Sequence, residues 1–287
     1  MNAYHCGWLA NRLSIFRSCH TKTTMRNLRT YGNPPFSVAV IHGGPGAGGE
    51  MAPVARELAD DYGVLEPIQT AGTLEGQVME LRQVLESHGS HPVTLVGFSW
   101  GAWLSFIVAA RHPGLVKKLI LVGSGPFEER YVPALQAARL RRLDAGERAE
   151  YEALLRDLDN PAVEDKDRLL ARLGGLVLKA DAFDPLPGLC GDADRVGPHG
   201  DIYQGVWDDA VKMRRSGALL RLAQHIQCPV LAVHGDADPH PAEGVEKPLA
   251  GVLADFQFVL LENCGHTPWI ERRAREPFYR VVRSALS

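Results

Sequence analysis

The chain has 287 residues, 45% hydrophobic and 23% charged, with 31 Lys and Arg against 34 Asp and Glu and a formal net charge of −3. A chain of this length and composition buries a large core in one or two domains, which excludes disorder as its main state. The near balance of charge carries no global signal for nucleic acid or an anionic membrane, so the expected partner is a small molecule, and nothing in the sequence speaks to oligomeric state.

Residues 1–49 contain no Asp or Glu, while Arg12, Arg17, Lys22, Arg26 and Arg29 lie among Ser and Thr. An organelle transit peptide has that composition. Residues 1–30 nevertheless show neither an apolar face at helical period nor a signal-peptide core, so a basic leader outside the mature fold, or a true start at Met25, is the favoured reading. The five cysteines, Cys6, Cys19, Cys190, Cys228 and Cys264, form no C-x-x-C pair, which argues against a disulfide framework or zinc site and for a cytoplasmic protein. The longest apolar stretch, residues 102–110, is far shorter than the ~20 residues that span a bilayer and is broken by Ser105.

From residue 36 onward short β-branched runs alternate with segments of helical period. The runs at 36–41, 63–68, 93–98, 119–122, 229–234 and 256–261 predict buried parallel strands. Between them Met51, Val54, Ala55 and Leu58 follow i, i+3, i+4, i+7, and Leu74, Val78, Leu81 and Leu85 continue the pattern one helix later. This order predicts an α/β fold, a mostly parallel sheet covered by helices on both faces and joined by right-handed crossovers. A last helix is expected with Pro277 in its first turn and Phe278, Val281, Val282 and Ala285 on one face. Between 127 and 227 the alternation stops, and helices at 133–143, 147–158, 164–179 and 209–224, with a Gly/Pro/Asp-rich loop at 181–200, predict an inserted helical cap. The core would then comprise 31–126 and 228–287.

Gly97-Phe98-Ser99-Trp100-Gly101 lies where a predicted strand meets an apolar helix. A nucleophile on so sharp a turn needs glycines two residues to either side, where a Cβ would hold strand and helix apart. His42-Gly43-Gly44-Pro45-Gly46 follows the strand 36–41 and leaves backbone N–H groups free to face an anion. Pro45 has no N–H, so the expected oxyanion-hole donors are Gly44, with Gly43 second, and Trp100, the residue after the nucleophile. The G-x-G-x-x-G and Walker spacings are absent, and no cofactor or metal is expected. Downstream, Gly235-Asp236-Ala237-Asp238 and Asn263-Cys264-Gly265-His266 each follow a strand, where open α/β sheets place their ligands. Ser, Asp, His in chain order suits a serine nucleophile with a histidine base.

Together these motifs resemble an α/β-hydrolase, and the pairing of HGGPG with G-x-S-W-G resembles the proline iminopeptidase-like branch, over residues 36–287. The resemblance implies Ser99 as nucleophile, His266 as general base and Asp238, three residues after the strand-ending glycine, as the acid, with Asp236 as its rival. It also implies two strands before the oxyanion loop. The strand-poor segment before Phe36 predicts their loss and a sheet of about six strands.

His42 reads as a brace for the glycine loop, and His240 as a solvated loop histidine with a role toward Asp238 as the alternative. Cys264 reads as a thiol near His266 that is either buried and inert or reactive. Tyr203 and Trp207 would suit an apolar acyl pocket or simple cap packing. The expected function is a serine hydrolase acting on an ester, thioester or amide of a small molecule. The alternatives are an iminopeptidase-like aminopeptidase, whose amine-binding acids cannot be identified in the cap, and a non-catalytic ligand-binding protein.

Overall fold

The structure, a computed structural model, describes residues 27–46, 48–160, 162–188 and 194–287. Residues 1–26, the greater part of the segment read as a basic leader over 1–30, lie outside these, as do Cys6, Cys19 and Cys190. Seven strands form one sheet in the order β1-β3-β2-β4-β5-β6-β7. They are β1 (Leu28–Tyr31), β2 (Phe36–Ile41), β3 (Gly63–Pro67), β4 (Val93–Phe98), β5 (Val116–Val122), β6 (Val230–Gly235) and β7 (Phe256–Leu261). All neighbours pair in parallel except β1, which runs antiparallel to β3.

The six-strand expectation is corrected by β1, which starts inside the segment read as leader. Its sequence, LRTY, is too short and polar for alternation to register. What holds it is tertiary: Leu28 and Tyr31 are buried against the core, and the Tyr31 hydroxyl donates to Glu66 Oε2 at 2.7 Å.

Strand residues alternate between the faces as a period of two requires. Ala39, Ile41, Leu65, Leu95, Leu119 and Leu121 pack under α2 (Leu74–His88), α3 (Trp100–Arg111) and α9 (Glu243–Ala250). Val38, Val40, Val64, Val96, Ile120 and Val122 pack under α1 (Ala52–Leu58) and α10 (Arg275–Leu286). The stripe read from α2 is buried throughout, and its first turn is capped by the Thr73 hydroxyl, which accepts from Gly76 N.

Between β5 and β6 come α4 (Val132–Arg142), α5 (Ala145–Leu158), α6 (Lys166–Asp181), α7 (Gly200–Arg215) and α8 (Ala218–Arg221). Helices α5 and α6 bury a cluster of their own around Tyr151, Leu154, Leu158, Leu170, Leu173 and Leu176. The single helix expected over 209–224 is two, because Gly217 adopts φ 71° between α7 and α8. Among the described residues no helix is long and apolar enough to cross a membrane.

Candidate active site

Parallel pairing brings the C-terminal ends of the strands to one edge of the sheet, Ile41 opposite Gly97, Phe98 opposite Val122 and Gly235 opposite Leu261. The loops that leave this edge carry every motif found in the sequence. Ser99 forms the turn between β4 and α3 with φ 52° and ψ −112°, a strained position for a residue with a side chain. The flanking glycines are required by space. A Cβ on Gly97 would lie 2.3 Å from Gly101 O, and one on Gly101 would lie 2.3 Å from Ile41 O.

The glycine loop abuts this turn, since a Cβ on Gly43 would lie 3.0 Å from Ser99 Cβ. His42 braces the loop from below. Its Nε2 accepts from Gln69 N at 3.2 Å, so Nδ1 carries the proton given to Gly43 O at 2.7 Å, and burial lowers its pKa to about 4. Gly43 N–H is taken by Glu50 Oε1 at 2.5 Å, whereas among the described residues Gly44 N–H makes no hydrogen bond within the protein. Trp100 N–H heads α3, where a helix has no carbonyl to receive it, while its indole donates to Gln77 Oε1 at 2.9 Å.

Asp238 and His266 come together from β6 and β7. His266 Nδ1 lies 2.7 Å from Asp238 Oδ2, and the carboxylate is fully enclosed. Asp236, the rival acid, is turned away and accepts from Cys264 N at 3.0 Å. Among the described residues Ser99 Oγ makes no hydrogen bond. Its neighbour Phe98 has its ring centroid 4.8 Å from that of His266.

His240 is not a solvated loop residue. It is 8% exposed, both its N–H and its Nδ1 bond Asp238 Oδ1, at 2.9 and 2.8 Å, and its ring stacks on His266 with centroids 4.3 Å apart. Burial together with the charge of a protonated His266 lowers its pKa to about 4, keeping it neutral. A third imidazole, His234, lies 3.4 Å from Asp238 Oδ2. Burial would raise the Asp238 pKa, but His266, then His240 and His234, hold it well below the usual carboxylate range. Burial would lower the His266 pKa, and Asp238 outweighs it so that the net shift is upward. Cys264 is fully buried, and desolvation pushes its thiol far up, which makes it inert.

The helices inserted between β5 and β6 reach this edge as well. The Asp181 carbonyl at the end of α6 accepts from His266 N at 2.8 Å, and its carboxylate grips Arg139 through Nε at 2.7 Å and Nη2 at 2.5 Å. Buried Glu271 accepts from the N–H groups of Phe183, Asp184 and Gly265, joining the segment after α6 to the His266 loop. Tyr203 and Trp207 on α7 stack with each other and, through Trp207, on Trp103 of α3 at 6.1 Å and 4°. Sequence reasoning gave Arg139, Asp181, Glu50 and Glu271 no role, because their partners are 6 to 88 positions away. His240 carried a local signal, being two residues from Asp238.

A strained serine elbow, a glycine loop beside it and a buried Asp–His pair at the same sheet edge define an α/β-hydrolase site. The chain belongs to the alpha/beta hydrolase fold family, whose model matches residues 66–272. It is 28% identical to pimeloyl-[acyl-carrier protein] methyl ester esterase of Chromobacterium violaceum over 267 residues, 90% of this chain and 97% of that one. It is 27% identical to monoacylglycerol lipase ABHD6 of Homo sapiens over 70% of this chain and 57% of that longer protein. Proline iminopeptidase of Lactobacillus delbrueckii subsp. bulgaricus is 24% identical over 82% of this chain and 85% of that one. The fold is shared with VinJ, with TM-score 0.63, 18% identity and coverage of 94% of this chain and 98% of that one. It is shared too with the enol-lactonase of Burkholderia xenovorans LB400, with TM-score 0.56, 22% identity and coverage of 90% and 95%.

Proposed function

We propose that the chain is a serine hydrolase cleaving an ester, thioester or amide of a small molecule through an acyl-enzyme. The observation that carries this reading is the buried Asp238–His266 pair at the same sheet edge as Ser99 on its positive-φ turn. Ionised Asp238 can only accept, so His266 Nδ1 holds a proton and Nε2 keeps its lone pair toward the nucleophile. His266 takes the Ser99 proton as Oγ attacks the carbonyl carbon. The tetrahedral oxyanion is received by Gly44 N–H and Trp100 N–H, and the imidazolium, stabilised by Asp238, gives its proton to the leaving group. Water deprotonated by His266 then releases the acid.

In this reading residues 127–227 form a cap over the core segments 31–126 and 228–287. Substrate lies between the two, with its acyl group against Trp103, Trp207 and Tyr203. Two of the relatives named above are an ester esterase and a lipase, which favours an oxygen ester. Labelling by a fluorophosphonate probe tests the mechanism: the wild type is expected to label and Ser99→Ala not, and labelling that survives in Ser99→Ala would refute it.

A second reading, an aminopeptidase, rests on Glu50. Its carboxyl lies at the glycine loop beside Ser99, and burial raises its pKa against the pull of Arg195 and Gly43 N–H. Competition between p-nitrophenyl esters and N-terminal prolyl amides separates the two, the first reading requiring the esters to prevail.

A further inference from the structure

We propose that His240, His266 and Asp181 form a site for one divalent transition-metal cation, zinc foremost, whose binding silences the site reversibly. The argument begins with the shared carboxylate. Asp238 Oδ1 bonds His240 Nδ1 at 2.8 Å and Oδ2 bonds His266 Nδ1 at 2.7 Å. Both Nδ1 atoms therefore carry protons, and both Nε2 atoms keep a lone pair. The rings stack within 20° of parallel with centroids 4.3 Å apart, and with both Nδ1 atoms held by Asp238 the nitrogens free to ligate are the two Nε2 atoms. An imidazole whose far nitrogen donates to a carboxylate is the usual zinc-ligating arrangement, and here it occurs twice on one carboxylate.

The third ligand comes from the insertion between β5 and β6. One oxygen of Asp181 and one nitrogen of each ring lie within 4.8 Å of one another, and all three residues are buried. A tetrahedral zinc with bonds of about 2.0–2.1 Å separates its ligands by ~3.3 Å, so small side-chain rotations close the site. Arg139 does not preclude this. A carboxylate offers about four lone-pair sites, and the two bonds to Arg139 use two of them. The neighbouring guanidinium charge does weaken the site, which suits release to a chelator.

Two imidazoles and one carboxylate leave a fourth position open, and the nitrogen ligands favour zinc, copper or nickel over magnesium or calcium. With its lone pair on the metal, His266 cannot take a proton from Ser99. That consequence for activity rests on the hydrolase reading, whereas the binding itself does not.

The test uses the full chain after chelator treatment, with Zn²⁺ followed by calorimetry and Co²⁺ by its visible absorption. One equivalent of Zn²⁺ is expected to bind and to displace Co²⁺. His240→Phe, which keeps a ring on His266 but no ligand, is expected to weaken binding at least ~10-fold, and His225→Ala, an exposed site, to leave it unchanged. Where His240→Phe does not fold, His266→Phe gives the same reading with His240 and Asp238 intact. Failure to bind one equivalent by about 1 mM, or equal affinity in either Phe variant, would overturn the site. In a chain that hydrolyses esters, half-inhibition by Zn²⁺ should coincide with the Kd and be reversed by chelator, and stoichiometric binding without inhibition would overturn the silencing. A chain without Ser99-dependent labelling would refute the hydrolase reading alone, and Co²⁺ binding would still decide the site.

Discussion

Replacing Asp238 by Asn tests the arrangement of the three imidazoles as well as the identity of the acid. The Oδ1 position receives two donors from His240, the N–H at 2.9 Å and Nδ1 at 2.8 Å, whereas Oδ2 receives His266 Nδ1 at 2.7 Å. An asparagine has one oxygen for these two positions. Setting its NH₂ toward His240 would oppose it to two donors, so the amide turns its oxygen there and its NH₂ toward His266. His266 Nδ1 can then be satisfied only by giving up its proton, which moves to Nε2 and leaves no lone pair for Ser99. The corresponding loss of tautomer in a serine protease lowers kcat about 10⁴-fold, equivalent to ~5.4 kcal/mol of transition-state stabilisation. His240 makes the wrong orientation the preferred one, so a loss of at least ~10³-fold is expected here. The assay is steady-state hydrolysis of a p-nitrophenyl ester, with circular dichroism to verify folding. Asp236→Asn keeps an oxygen for Cys264 N and should lose less than about tenfold, because a single neutral hydrogen bond contributes ~1 kcal/mol. Retention of kcat within tenfold in Asp238→Asn, or an equal loss in Asp236→Asn, would refute the reasoning.

Asp238 raises the His266 pKa and the base must be unprotonated, so kcat/KM should rise with pH through an ionisation above the ordinary imidazole value of about 6.5. A wild-type acid limb at or below that value would contradict the pairing. Trp207→Ala removes the middle ring of the Trp103–Trp207–Tyr203 stack. It should raise KM roughly tenfold for long-chain or aromatic acyl esters and less than ~2-fold for acetyl esters; equal effects on both would move the acyl site elsewhere. Gly101→Ala drives a Cβ to 2.3 Å from Ile41 O and 2.5 Å from His42 O, and should cost about 1–3 kcal/mol in denaturant unfolding. Gly174→Ala in α6, with nothing within 4 Å, should be neutral or stabilising by up to ~1 kcal/mol. The reverse order would undo the steric account of the elbow.

Where a candidate site residue acts through its own backbone or follows its own strand, the sequence alone determined its place at the sheet edge. Gly97 and Gly101 around Ser99, the glycine loop after β2, and Asp238 and His266 past β6 and β7 follow from strand ends and chain order, because parallel strands deliver their C-termini to one edge. Strand β1 escaped notice because four mixed residues carry no period and their pairing with β3 is tertiary. Asp238 and its rival Asp236 are each a carboxylate just past a strand, and in the fold direction separates them, Asp236 meeting Cys264 N and Asp238 meeting His266 Nδ1. The largest change concerns His240, which as a sequence symbol is a loop histidine and in the fold is the second imidazole on the acid. Burial decided that: once water is excluded an imidazole must find a partner inside the protein, here Asp238 Oδ1, and no local pattern records which side chains the fold encloses together.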